Sequence, residues 1–232
     1  MAHVEHDLEA YPLSPSRSRY VAAARTAVDL LAVPELEERW DEASVLAEFG
    51  IADLAGHLAL SAVLLVEMLL DEPDPRSPEP VTAGQYFGSF EGMDAVDAPL
   101  NVAVRERAHT VAVHGRDHVL ASASKAVERL ADRLVVEPAD RQVASRGLPL
   151  TLDEFLRTRC VEIAVHVEDL ELSIGLGPGL TAADPVPDPP DDVVADAVDV
   201  LVEAAIARHG RRAVLTALTR RERDQVQALR VF

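Results

Sequence analysis

The stretch TLDEFLRTRCVEIAVHVEDLELSIG, Thr151 to Gly175, decides how this chain folds. Thr151 and Glu154 stand at the T-x-x-E spacing of a capping box, in which a hydroxyl and a carboxylate close the first free N–H groups of a helix. The spacing predicts a helix from there to about Ile174, ended by Gly175 and Gly177. Within it Glu162 and His166 are four residues apart. That separates them by roughly 40° around the helix axis, so both leave one face and can share a ligand. Asp169 follows three residues later on the same stripe, whereas Cys160 points away from it.

Working outward, GIADLAGHLALSAVLL (residues 50–65) opens another helix near Ile51 that runs to about Leu70, where DEPDPRSPEP (71–80) stops it. His57 shares its inward face with Leu54, Leu58 and Ser61, so it points into the bundle. A first helix is expected from about Ser16 to Ala32, introduced by Ser14 and Pro15 and carrying Tyr20, Ala24, Ala27, Leu30 and Leu31 inward. Pro34 stops or bends it, and ELEERWDEASVLAEFG (35–50) reads as an irregular or short helical connection. Residues 72–98, around the island QYFGSFEG, read as a long surface crossover, and a third helix is expected from about Pro99 to Leu134.

Strand-like alternation is sparse and apolar spacings of three and four recur, so the class is all-α. Four long helices over residues 1–177 make a bundle. The linker GPGLTAADPVPDPPD then leads to a mainly helical extension, residues 178–232. There DVVADAVDVLVEAAIARHG forms an amphipathic helix closed by Gly210, and Thr219 with Glu222 caps a last short helix.

With 22 Lys and Arg against 40 Asp and Glu, the formal charge is −18, which repels phosphate backbones and anionic lipid surfaces alike. Nucleic acid and membrane are therefore not expected as partners. The opening MAHVEHDLEAYPLSPSR has neither the basic nor the apolar region of a secretory signal, and the apolar run Leu58–Leu70 reads as short and polar for a bilayer. A single cysteine, Cys160, cannot form an internal disulfide. These features place the protein in the cytoplasm; a monomer or homodimer is expected, a choice the sequence does not make. One lysine, Lys125, and one asparagine, Asn101, mark a GC-rich genome.

A face that should be apolar thus carries Glu162 and His166, with His57 on a second helix able to lie beside it. Burying an unpaired carboxylate is costly, and a metal ion satisfies all three groups at once. Helical bundles build metal sites in this way. Two imidazoles and one carboxylate suit zinc or another first-row divalent ion and leave a position open for a reacting ligand. Asp169 is a candidate to orient a ligand from outside, or else a helix-end cap or salt-bridge partner. His109, His114 and His118 read as a solvated or half-buried face, interrupted by Arg116, more than as a second metal site, because no carboxylate-plus-His pair elsewhere joins them. Cys160 reads as a packed apolar residue, and GLGPG (175–179) as a C-cap and linker, not a phosphate loop.

Two segments resemble a known family. In RWDEASVLAEFGIADLAGHLA (39–59), Trp40, Ser44, Leu46, Asp53, Leu54, His57 and Leu58 match the second-helix pattern of the DinB-like superfamily. The likeness is to the metal-binding N-terminal domain of mycothiol-dependent maleylpyruvate isomerases and their actinobacterial relatives. In VEIAVHVEDLELSIG (161–175), Glu162, His166, Asp169 and Leu170 resemble the family's E-x-x-x-H-x-x-D-L segment, and ARHGRRAVLTALTRRERD (207–224) looks like the tail of one subgroup. The resemblance implies a DinB-like four-helix bundle with His57, Glu162 and His166 as ligands of one divalent metal. It further implies mycothiol or a similar thiol as cosubstrate, attacking a small electrophile in an isomerase or an S-transferase. It leaves the catalytic and thiol-contacting residues unassigned. The segment after Pro178 is too short and too helical to be the mixed α/β domain that accompanies this one in the isomerases. Two other readings stay open: a non-catalytic metal-stabilised binding or sensing module, and a metal-dependent hydrolase using Asp169 or Glu168 as base.

Overall fold

The computed structural model describes residues 13–90, 95–176, 187–220, 222 and 227–229. Helix α1 spans Pro15–Leu31, and the Ser14 hydroxyl accepts the N–H of Arg17 at its start. A short α2, Pro34–Glu38, follows, and then α3 runs from Ile51 to Asp71 with a π-helical turn at Leu60–Leu64 in its middle. Past the crossover come α4 (Ala83–Gly88), α5 (Pro99–Ala112), α6 (Arg116–Val136), α7 (Leu152–Ile174), α8 (Asp191–His209) and α9 (Arg211–Thr219). The fold is an all-α bundle with C-terminal helices, as the periodicity predicts.

α1, α3, α6 and α7 pack around one core in which Tyr20, Leu30, Leu54, Leu58, Leu130, Phe155 and Leu156 are fully buried. Arg17, itself buried, ties three elements together: Nε donates to Asp153, and the guanidinium also donates to the carbonyls of Leu134, Glu137 and Pro138. By length and composition α3 is apolar enough to cross a bilayer. That span is longer than the run judged from sequence; in this structure α1, α5, α6 and α7 pack around it.

The single helix expected from Pro99 to Leu134 is instead two. α5 ends at Ala112, and Gly115 turns the chain with φ +87°, a conformation a Cβ would strain. One straight helix of that length would extend about 54 Å, overshooting the bundle; the break lets both halves cover α3. Close approach makes this possible at Gly56, where a Cβ would lie 2.6 Å from the carbonyl oxygen of Ala108 on α5.

Three local features lie beyond the sequence reading. A hairpin pairs β1 (Gln142–Ser145) with β2 (Leu148–Thr151), turning on Arg146 and Gly147, both at positive φ. The crossover holds α4, whose own capping box is Thr82 with Gln85. The capping box expected at Thr151 is only half formed: Thr151 Oγ1 accepts the N–H of Glu154, but the Glu154 carboxylate accepts the N–H of Ala83 at 2.7 Å instead of turning back. It thereby fastens α4 to the start of α7.

α8 lies on α4 and α7, and Val193, Ala197, Val200, Ala204 and Ala205 join the common core. Arg157–Asp196 and Arg19–Asp192 pairs hold it there. Gly175 and Gly210 close α7 and α8 as read from sequence. Residues 177–186 of the linker, with Gly177, and the opening through residue 12 lie outside the described residues. So does most of the short helix expected after Thr219, whose hydroxyl donates back to Leu215.

Candidate metal centre

α7 puts Glu162 and His166 on one face, and α3, packed against it, brings His57 to meet them. One ligand atom from each of the three lies within 4.8 Å of the others. A single carboxylate oxygen, Glu162 Oε2, stands 3.3 Å from His57 Nε2 and 3.4 Å from His166 Nε2. The imidazoles meet edge to face with centroids 4.7 Å apart. All three side chains are largely buried, at 13%, 16% and 19% exposure for His57, Glu162 and His166.

Asp169 Oδ2 lies 3.0 Å from His166 Nδ1. Accepting the proton on Nδ1 leaves the Nε2 lone pair aimed at the cluster, the tautomer a metal ligand needs. Burial opposes ionisation of Glu162, but its contacts with His166 and His57 and the charge of Arg159 hold it well below the usual carboxylate range. His166 is pushed up to about 9, because Asp169 and Glu162 outweigh its burial. His57 is pushed down by burial and by the charge on His166, against the pull of Glu162. The cluster therefore holds a positive charge between two ring nitrogens and an ionised carboxylate. A divalent cation supplies the same compensation, and two imidazole nitrogens with one carboxylate oxygen are a donor set of the zinc type. The residues present fit the group.

The π turn begins three residues beyond His57. Such turns displace a carbonyl from the regular ladder and recur at functional sites. Here buried side chains take up the freed oxygens: Tyr20 Oη donates to Ala62 O at 3.0 Å and Arg159 Nη1 to Ser61 O at 2.8 Å. Neither residue emerged as part of the site from sequence, although an arginine three residues before Glu162 in an apolar stretch was a usable signal.

The other singled-out residues stay apart. The break before α6 puts His114 in a turn, its ring centroid 4.9 Å from that of His118, and both are exposed. Arg116 turns away to the carbonyls of Leu31 and Ala32. His109 is exposed and pairs with a single carboxylate, Asp53, whose Oδ1 lies 2.9 Å from its Nδ1. Cys160 is packed, and burial pushes its thiol up to about 12, so it is no nucleophile at neutral pH.

A His–Glu–His cluster between two facing helices of a bundle is an arrangement that could hold a metal ion. The comparison with protein families narrows this. The model of the mycothiol maleylpyruvate isomerase N-terminal domain matches residues 20–171, most of the chain, and the chain belongs to that family. No curated protein and no solved structure matches it.

Proposed function

We propose that His57, Glu162 and His166 bind one divalent metal ion, zinc by the chemistry of the donor set, and that the protein is a thiol-dependent isomerase or S-transferase acting on small electrophiles. The observation that carries this is the convergence of two imidazole Nε2 atoms on one oxygen of Glu162, inside a family named for a mycothiol-dependent isomerase. Mycothiol, or a similar low-molecular-weight thiol, is the proposed cosubstrate. A divalent ion held there favours the ionised form of a bound thiol and so supplies a nucleophile at neutral pH. The residues of the chain do the rest: His57 and His166 would offer their Nε2 atoms, with a bound metal displacing the proton that His166 otherwise retains, Asp169 holds the His166 ring, and the low exposure of all three side chains limits access of water. An isomerase and a transferase share the attack on the electrophile and differ only in whether the adduct is released.

The hydrolase reading is weakened, because Asp169, its proposed base, is committed to His166 and Glu168 is exposed. The acidic balance of −18 is unfavourable to nucleic acid and to anionic membrane surfaces, and we propose a cytoplasmic protein acting as monomer or homodimer.

The test is metal content of protein purified without a nickel column, for the native chain and for His57→Ala and His166→Ala. Near one equivalent in the native protein and none in folded variants is expected. The zinc-loaded native protein should then either convert a cis-alkene to its trans isomer in the presence of a thiol that is regenerated, or consume a thiol and an alkyl halide together with release of halide, and the variants should do neither. Metal-free native protein, or variants that keep their metal, would overturn the site; metal without any thiol-dependent turnover would leave a binding module.

A further inference from the structure

Arg159 is 3% exposed, a cation taken almost wholly out of water. It has a contact on each of the two helices that supply the metal cluster. Nη1 donates to the carbonyl of Ser61 in the π turn of α3, four residues after His57. Nη2 lies 3.8 Å from Glu162 Oε1 on α7, ion-pair distance but beyond a hydrogen bond. Nε donates to Thr158 Oγ1 at 3.0 Å, and the guanidinium stands 4.9 Å from the centre of the Phe155 ring, so little freedom remains to it.

The two oxygens of Glu162 therefore have different surroundings. Oε2 faces both imidazole nitrogens, while Oε1 faces a buried guanidinium. A carboxylate with nothing on its second oxygen can swing to bind a metal through both and occupy an extra coordination position. A fixed positive charge beside Oε1 attracts that oxygen and repels a metal ion from it. We propose that Arg159 is a positioning residue that restricts Glu162 to ligation through one oxygen and so keeps a coordination position free for a small-molecule ligand. This rests on the metal site proposed above.

The test reads carboxylate denticity directly, by the zinc-loaded minus metal-free infrared difference spectrum at one equivalent of Zn2+. A carboxylate bound through one oxygen shows a wider separation of its antisymmetric and symmetric stretches than the free ion, and one bound through two shows a narrower separation. The wide separation is expected for the native protein and for Arg159→Lys, which keeps the charge. Arg159→Met and Arg159→Gln should each hold one Zn2+ and show the narrow separation. A purely structural arginine would lower thermal stability without moving the separation. A narrow separation in the native protein, or a wide one in a folded, zinc-loaded neutral variant, would overturn the proposal. If neither neutral variant folds, the native and Arg159→Lys spectra remain the test, and a narrow separation in either overturns the proposal. Native protein that takes up no Zn2+ would mean that the metal site itself fails, a different outcome.

Discussion

Glu162 and Glu171 sit on the same helix, and burial pushes both towards the neutral form, yet they end on opposite sides of the ordinary carboxylate range. Glu162 has two imidazoles on one oxygen and a guanidinium near the other, and is held well below that range. Glu171 has a buried oxygen, Oε1, with no hydrogen-bond partner among the described residues, and its carboxyl is pushed up to about 7 by burial and by the charges of Asp188 and Glu168. It also lies in the last turn of α7, where the helix dipole is unfavourable to an anion. Burial sets the direction at Glu171 but not at Glu162. At Glu162 the partners decide it, His166 and Arg159 on the same helix and His57 from α3, and together they assemble a site.

The same chemical change should therefore act oppositely at the two positions. Glu162→Gln is expected to abolish stoichiometric metal binding and, by stranding a buried Arg159, to destabilise the metal-free protein by on the order of 3 kcal/mol. Metal analysis and urea unfolding check both effects; a variant as stable as the native chain would break the comparison. Next in size, Asp169→Asn removes the anionic acceptor at His166 Nδ1 and should weaken Zn2+ binding by about 10- to 100-fold with the fold intact, read by titration against a chelator. Unchanged affinity would show that Asp169 does not orient the ring.

Tyr20→Phe extends the test to an uncharged group. Without the phenol, Ala62 O in the π turn loses a buried donor, and a loss of about 1–3 kcal/mol in thermal or urea unfolding is expected. Stability within experimental error of the native chain would mean that the turn satisfies itself. The smallest effect is at Glu171. Its folded value, about 7, lies above its ordinary value of 4.5, so the stability linked to it is fully present below that ordinary value and is lost as pH rises through about 7. Glu171→Gln should remove that decline, so that its melting temperature overtakes the native one between pH 5 and pH 8. Melting curves that stay parallel across that range would remove Glu171 from the comparison.

Much of this architecture was legible in the chain. Apolar spacing marked α1, α3, α7 and α8, Gly175 and Gly210 marked ends, and the i, i+4 relation of Glu162 to His166 placed both on one face before any packing was known. The break after Ala112 was less visible. The sequence around Gly115 keeps helical residues on both sides, and only the need to cover α3 twice selects a turn there. The hairpin at Arg146–Gly147 is too short for its alternation to stand out. Glu154 took a tertiary partner, Ala83, over the local one its spacing offered.

By itself, then, the sequence determined the helical class, the long elements and which residues could meet on a single helix, because helical periodicity and capping are local and repeat every few residues. Only the tertiary structure decided that His57 meets Glu162 and His166, and that Arg159 and Tyr20 take the carbonyls of the π turn. Those contacts join residues far apart in the chain. The packing of α3 on α7 and on α1 fixes them, and spacing along one helix carries no record of the distance to another.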